Sequence, residues 1–155
     1  MKIFIASDIH GSAFYCKKLL ERINKEMPDR IILVGDILYH GPRNDLPKDY
    51  NPKEVIKMLN ELTTPIVSAR GNCDSEVDQM VLKFPILADY LLLAIGKKTI
   101  FITHGHFYGV KEGVQRLLYR GLELKVDIVL YGHTHISNII FEEGIWIVNP
   151  GSVSL

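Results

Sequence analysis

Histidine is unevenly distributed in this chain, and its spacing points to metal binding. Four of the six histidines form two His-x-His pairs, and a fifth follows an aspartate in an Asp-x-His triplet. These residues are Asp8 with His10, His104 with His106, and His133 with His135. Because histidine is the commonest metal ligand in proteins, the clusters predict a metal site if the fold brings them together.

Five polar clusters each follow a short apolar run rich in Ile and Val. The length and β-branching of these runs predict strands, and ligand sites in α/β sheets lie outside the carboxyl ends of the strands. The candidate ligands in the clusters are Asp8, His10, Asp36, Asn72, His104, His133 and His135. Carboxylate, imidazole and amide oxygen suit ions such as Mn, Fe, Zn, Co or Mg. Seven ligands are too many for one tetrahedral ion but suit two ions that share a bridging ligand, as in two-metal hydrolases.

The elements that must position these clusters follow a mixed order. Strands and helices alternate as β-α-β-α-β, followed by a hairpin around Gly96, a further helix and strand, and two strands that turn at Gly144. Asn51 and Pro52 have the types expected for an N-cap and a first helical position. The spacing of Val110, Val114, Leu117 and Leu118 predicts a third helix. This order predicts an α/β core of sheets covered by helices.

Composition excludes several functional classes. The 155 residues are 47% hydrophobic and 23% charged, which is typical of a globular protein and not of a disordered one. The formal charge is +0, so a mainly electrostatic, stable association with nucleic acid is not expected. No apolar run reaches the length of a membrane span, and no membrane association is expected. Cys16 and Cys73 form no Cys-x-x-Cys pair, which favours a reduced, cytoplasmic location.

The ordered clusters resemble the motifs of the calcineurin-like metallophosphoesterases. The five motifs are Asp8-x-His10, Gly35-Asp36, Gly71-Asn72-Cys73-Asp74, His104-Gly105-His106 and Gly132-His133-x-His135. Segments 40–44, 70–80 and 149–154 are similar to the YfcE-like prokaryotic phosphodiesterases of that family. The resemblance covers essentially the whole chain. It implies an α/β fold that is a four-layer α-β-β-α sandwich, with two packed sheets flanked by helices, in a single domain of residues 1–155.

The end of the sequence departs from the family pattern. Relatives usually continue past the Asn149–Ser154 segment with another strand pair, whereas this chain stops at Leu155. We therefore expect the domain to lack that last strand pair. Three explanations stay open: a shorter sheet that is tolerated, an exposed edge covered by another subunit in a homo-oligomer (dimer or tetramer), or a truncated sequence.

The resemblance also implies a role for each candidate ligand. The first metal would be bound by Asp8, His10 and His135, the second by Asn72, His104 and His133, and Asp36 would bridge the two. We expect two divalent ions, with Mn²⁺ first and Fe, Zn, Ni, Co or Mg as alternatives. The implied activity is hydrolysis of a small phosphodiester by a hydroxide that the two ions activate.

Position 73 is the second departure from the family. Many relatives have histidine there, which contacts the phosphate and can protonate the leaving oxygen, whereas Cys73 is a weak donor and a poor general acid. We therefore expect a preference for substrates with good leaving groups. The predicted catalytic residues are Asn72, Cys73, Asp74 and His106. The predicted substrate contacts are His40, Arg43 and Asn44, since an Arg fork matches phosphate geometry.

Two other functions stay open at this point. The same site could serve a phosphomonoesterase or nucleotidase, because a fold does not fix its substrate. The chain could also be a non-catalytic scaffold that binds partner proteins, as the retromer subunit related to this family does. All seven ligand positions hold competent residues, which favours the enzyme.

Overall fold

The computed structural model describes all 155 residues and contains two β-sheets. The first sheet has the order β1-β2-β3 and is parallel throughout. Its strands are β1 (Ile3–Ala6), β2 (Arg30–Leu33) and β3 (Ile66–Ser68). The second sheet has the order β4-β5-β6-β8-β7, with a parallel centre and antiparallel outer pairs. Its strands are β4 (Tyr90–Ile95), β5 (Lys98–Thr103), β6 (Ile128–Leu130), β7 (Asn138–Glu142) and β8 (Ile145–Asn149).

The chain forms four α-helices, which are α1 (Ala13–Glu26), α2 (Pro52–Asn60), α3 (Glu76–Val81) and α4 (Gln115–Leu124). Of these, α1, α2 and α4 pack against the outer faces of the sheets. One apolar cluster joins the first sheet to α1 and α2, a second joins the second sheet to α4, and a third fills the space between the sheets. This layering confirms the predicted sandwich of two sheets flanked by helices. None of the helices combines the length and apolar character that a bilayer crossing requires.

The predicted strands and the first two helices are confirmed, and the local chemistry explains why. Ser12 caps α1 by accepting a hydrogen bond from the backbone N–H of Tyr15, and Asn51 caps α2 by accepting from Glu54. Pro52 occupies the first turn of α2, where its missing N–H has no cost. These signals lie within a few residues of each other, so they are visible without the tertiary structure.

The helix predicted from Val110 begins later, at Gln115, and this correction has a backbone cause. Gly109 and Gly113 have φ values of 60° and 151°, which interrupt helical geometry. Val110 is nevertheless buried in the same apolar cluster as Leu117 and Leu118. The apolar spacing therefore predicted correctly that these side chains are buried. The two glycines divide the segment into a loop and a helix. Helix α3 was not predicted at all.

Candidate metal centre

The predicted ligands gather between the carboxyl ends of five strands, three in the first sheet and two in the second. Asp8 and His10 follow β1, and His135 follows β6 in the other sheet. The Asp8 Oδ1 atom lies 3.2 Å from His135 Nε2 and 3.5 Å from His10 Nε2. One potential ligand atom from each of the three residues lies within 4.8 Å of the other two. This is the group that the sequence predicted for the first metal.

The second predicted group is also assembled. Asp36 Oδ2 lies 3.3 Å from His104 Nε2, and Asn72 Oδ1 lies 3.2 Å from the same nitrogen. His133 completes a set with Asp36 and His104 whose potential ligand atoms are within 4.8 Å of one another. Asp36 Oδ2 is also 3.7 Å from His10 Nε2, so this carboxylate lies between the two groups. That is the position a bridging ligand requires.

The two most buried histidines are oriented by backbone carbonyl groups. His10 Nδ1 lies 2.8 Å from the Tyr39 carbonyl oxygen, and His104 Nδ1 lies 2.6 Å from that of Val34. If each Nδ1 carries the proton and donates to its carbonyl, each Nε2 keeps a lone pair directed into the centre. Carbonyl partners of this kind commonly orient histidines that ligate metals.

The carboxylate oxygens and imidazole nitrogens around Asp8 are arranged as if to bind a cation. Asp8 Oδ2 accepts a hydrogen bond from Ser7 Oγ at 2.5 Å and from the backbone N–H of His133 at 3.2 Å. Asp8 Oδ1 is buried and accepts no hydrogen bond. Nearby, His10 Nε2 and His135 Nε2 face each other at 3.2 Å. A buried carboxylate oxygen without a donor is costly, and a divalent cation would satisfy it together with both nitrogens.

Burial and neighbouring charges shift the pKa values of the titratable groups of the centre in different directions. Burial would raise the pKa of the Asp8 carboxyl, but the close approach of His10 and His135 lowers it well below its usual value. Burial would lower the pKa of His104, but the adjacent Asp36 carboxylate raises it to about 9. In His133, burial and the charge on His104 lower the pKa to about 4. The two carboxylates therefore attract positive charge, while His133 stays neutral with an available lone pair.

The backbone is left-handed at five of the seven predicted ligands. Nine residues other than glycine have positive φ in the whole chain. The five that are predicted ligands are Asp8 (58°), His10 (48°), Asp36 (54°), His133 (68°) and His135 (62°). Asp and His adopt this region more readily than most residues, but such residues are still uncommon. Their concentration here shows that each loop turns sharply to direct its side chain inward.

Asp74 holds the loops after β2 and β3 together. Its Oδ2 atom accepts hydrogen bonds from the backbone N–H groups of Gly71 at 2.7 Å and Asp36 at 2.9 Å, and its Oδ1 accepts from Ile37 at 2.9 Å. Burial raises the pKa of the Asp74 carboxyl, and the amide donors oppose that shift. Both carboxylate oxygens are thus engaged by the backbone beside Asp36.

An open pocket of about 570 Å³ lies over the centre. Arg43 and Asn44, which are the predicted substrate contacts, line it together with the predicted ligands His133 and His135. Lys111 also lines the pocket and was not predicted. Because Lys111 belongs to an irregular loop and to no motif, only the tertiary structure reveals its place.

The remaining predicted histidines lie beside the pocket and do not line it. The His40 ring packs edge-on between Tyr39 and Tyr50, with centroids 4.8 and 5.1 Å away. The His106 ring lies 5.5 Å from that of His104, and burial together with the His104 charge lowers its pKa. The Nδ1 atoms of both His40 and His106 are buried without a hydrogen-bond partner.

The sequence itself carries the family signature over its full length. The calcineurin-like phosphoesterase superfamily domain matches residues 1–155. The chain belongs to this superfamily. The predicted family and the phosphoesterase class of enzyme are thereby confirmed.

Three proteins of known name are similar to this chain in sequence or in structure. The phosphodiesterase YfcE of Escherichia coli is 42% identical over 155 residues, which is all of this chain and 80% of YfcE. The structure of this chain matches that of YfcE with a TM-score of 0.87, over all of this chain and 81% of the YfcE chain. A phosphodiesterase of Methanocaldococcus jannaschii is 31% identical, covering 97% of this chain and 83% of its own. Vps29 of Entamoeba histolytica shares the fold at 23% identity, with a TM-score of 0.73 over 98% of this chain and 74% of Vps29.

Cys73 lies at the edge of the candidate metal centre. Its Sγ is within 4.8 Å of a potential ligand atom of His10 and of Asp36. Its backbone N–H donates to Asp36 Oδ1 at 2.8 Å, and its Sγ accepts from Asn72 Nδ2 at 3.3 Å. Burial and the Asp36 charge raise the pKa of the thiol to about 12. The thiol is therefore neutral near pH 7 and does not release a proton readily.

Proposed function

We propose that this chain is a metal-dependent phosphodiesterase that hydrolyses small phosphodiesters. The observation that carries the proposal is the pair of ligand groups that meet at Asp36, with the orphaned Asp8 Oδ1 between histidine nitrogens. The identity to YfcE over the whole chain supports a diester substrate, because YfcE is named as a phosphodiesterase. The open pocket above the groups gives a substrate access.

Two divalent ions, Mn²⁺ first among them, are the proposed cofactors. Asp8, His10 and His135 would hold one ion, while Asn72, His104 and His133 would hold the other, with Asp36 shared between them. When bound, the ions would lower the pKa of a water molecule and neutralise charge on the phosphate oxygens. The chain's contribution is orientation, since its loops hold the ligand atoms in place before any substrate arrives.

The residues around the ligands bind and orient the substrate in this proposal. Asn72 orients the phosphate in addition to ligating, and Arg43 with Asn44 contacts its outer oxygens from the pocket wall. Cys73 offers a neutral thiol to the leaving oxygen, which supplies a weak hydrogen bond and no readily released proton. Expulsion of a basic alkoxide is therefore poorly assisted, which supports the predicted preference for good leaving groups.

Three of the predicted site residues have roles that remain proposals. Asp74 acts as a positioning residue in our proposal, because backbone amides engage both of its oxygens. His106 stays a predicted catalytic residue beside His104, with a neutral ring at pH 7. His40 stays a predicted substrate contact, although its ring is packed between two tyrosines.

The test is a substrate and metal panel. The protein is stripped with a chelator and assayed with Mn²⁺, Mg²⁺, Zn²⁺, Ni²⁺ and Co²⁺ against bis(4-nitrophenyl) phosphate and 4-nitrophenyl phosphate. We expect the diester to be hydrolysed with the higher kcat/KM and Mn²⁺ to restore the most activity. Faster turnover of the monoester would favour the phosphomonoesterase or nucleotidase reading. No turnover with any ion would favour a scaffold.

Several predictions about the protein's context stand beside this function. We propose that residues 1–155 act as one domain, in the cytoplasm, without stable binding of nucleic acid. A dimer or tetramer stays a prediction that light scattering would test. The formal charge of +0 supports the absence of nucleic-acid binding, since a strong binder needs a basic surface.

A further inference from the structure

A second depression adjoins the candidate metal centre and differs from it in chemistry. It has a volume of about 470 Å³ and shares Tyr39, Cys73 and Ser75 with the pocket over the metal centre. Most of its remaining wall is apolar. We call this depression the apolar recess and define it by Tyr39, Tyr50, Ile56, Val77 and Val81, with Cys73 at the junction.

The recess presents apolar and aromatic surface to solvent. Val77 is 68% exposed and Val81 is 43% exposed, so this wall is open to solvent. The Tyr39 and Tyr50 rings are both packed edge-on against His40, which fixes their orientation. A preformed apolar surface of this kind gains free energy by binding an apolar group and loses little by ordering it.

The polar groups at the rim of the recess are already engaged with each other. Asp78 Oδ2 accepts hydrogen bonds from the Ser75 backbone N–H at 2.8 Å and from the Ser75 hydroxyl at 2.9 Å. This pair caps α3 and leaves the recess with few polar groups for a hydrophilic ligand. The depression next to Lys111 shares only that residue with the metal pocket, and charged and amide side chains (Lys111, Glu112, Gln115 and Asn138) interrupt its apolar wall.

We propose that the apolar recess binds an aromatic or other apolar substituent of the phosphodiester. The inference rests on the proposed function, which puts the phosphate at the metal ligands. Cys73 Sγ lies within 4.8 Å of potential ligand atoms of His10 and Asp36, so a substituent that extends past Cys73 enters the recess directly. The recess thereby selects diesters with at least one bulky apolar arm over diesters with small or hydrophilic arms.

The test measures binding separately from catalysis. The affinity of the Mn²⁺-loaded protein for diphenyl phosphate and for dimethyl phosphate is measured by calorimetry, since both carry one phosphate charge and differ in apolar surface. We expect diphenyl phosphate to bind at least about tenfold more tightly. Equal affinity in the wild-type protein would overturn the proposal.

Two variants with matched controls identify the surface responsible. Val77→Gln and Tyr39→Ala are expected to reduce the preference for diphenyl phosphate to about threefold or less. The controls are Met80→Gln on the same helix and Tyr119→Ala on α4, both exposed and both outside the recess. The controls should keep the wild-type preference. A preference that survives in both recess variants would refute the assignment of this wall.

The outcome is separable from that of the proposed function. If the protein prefers diphenyl phosphate through the recess but hydrolyses no diester, the recess proposal stands and the phosphodiesterase proposal fails. If the protein hydrolyses diesters but binds both phosphates equally, the phosphodiesterase proposal stands and the recess proposal fails. Hydrolysis of bis(4-nitrophenyl) phosphate in the same preparations distinguishes these cases.

Discussion

Gly71 is the position at which a single methyl group tests the proposed centre most sharply. Its φ is not left-handed, so alanine is permitted by the backbone itself. A Cβ atom there would lie 2.8 Å from Asp36 Cγ and closer still to Asp36 Oδ1 and its backbone nitrogen. Because ordinary contact begins at 3.4 Å, Asp36 must move by about 1 Å or more. The Asp74 hydrogen bonds to the backbone of Asp36 and Gly71 resist that movement.

The displacement of Asp36 sets the expected size of the effect. Asp36 is the proposed bridge, so Gly71→Ala should weaken binding of both ions without changing any ligand or any charge. We expect Mn²⁺ affinity to fall about ten- to hundredfold and kcat/KM for bis(4-nitrophenyl) phosphate to fall about a hundredfold. Calorimetry measures the first effect and a chromogenic assay the second.

Gly121→Ala is the matched control. It also has no left-handed φ, and its Cβ would meet side-chain carbons of Val129 and Ile145 at 3.0 and 3.1 Å in the core beneath α4. This site is remote from the centre, so Mn²⁺ binding and turnover should match the wild type. Thermal melts of the metal-free proteins check that both variants fold. A folded Gly71→Ala protein with wild-type Mn²⁺ affinity and turnover would refute the bridging role of Asp36.

Three further predictions follow from the same site. Cys73→His should raise kcat/KM most for diesters with poor leaving groups, and an unchanged leaving-group dependence in a series of aryl diesters would contradict the role given to the thiol. Chelation should abolish turnover, and an ion at a hundred times its Kd should stabilise the protein by about 2.7 kcal/mol and raise Tm by about 5–10 °C, as measured by calorimetric melts. Asp74→Asn should lower the free energy of unfolding by about 1–3 kcal/mol in a denaturant titration, because one backbone N–H beside Asp36 loses its acceptor. An unchanged free energy would refute the role of Asp74 in holding the two loops together.

Sequence patterns anticipated most of the strands and the gathering of the predicted ligands. The apolar run before Asp8 and that before Asp36 are each a complete strand of the first sheet, so the loops that follow had to emerge at one edge. The Asn51 cap was equally local. These features were visible because each is determined within a few residues, and because parallel pairing aligns the strand ends.

The parts that were not anticipated depend on tertiary contacts or on short segments. Helix α3 has only six residues and buries none of them, so no apolar periodicity marks it. Its one signal is the Ser75 and Asp78 capping box, which could have been recognised. Lys111 reaches the pocket only because Gly109 and Gly113 turn the chain before α4. A loop conformation of this kind is fixed by packing and leaves no periodic trace in the sequence.

The backbone of the predicted ligands is strained, and contacts between their loops keep the candidate centre assembled. Left-handed geometry costs about 1 kcal/mol or more at each such residue, a substantial sum against the stability of a small domain. It persists because the loops are joined to each other: the backbone N–H of Asp8 donates to Gly35, that of His10 to Asp36, and that of Gly132 to His104. These bonds hold two facing imidazole nitrogens and an unpaired carboxylate oxygen together. A cation would bind the unpaired oxygen and the facing nitrogens without reordering the loops. Binding would therefore carry little further loss of conformational entropy, because the fold already orders these loops.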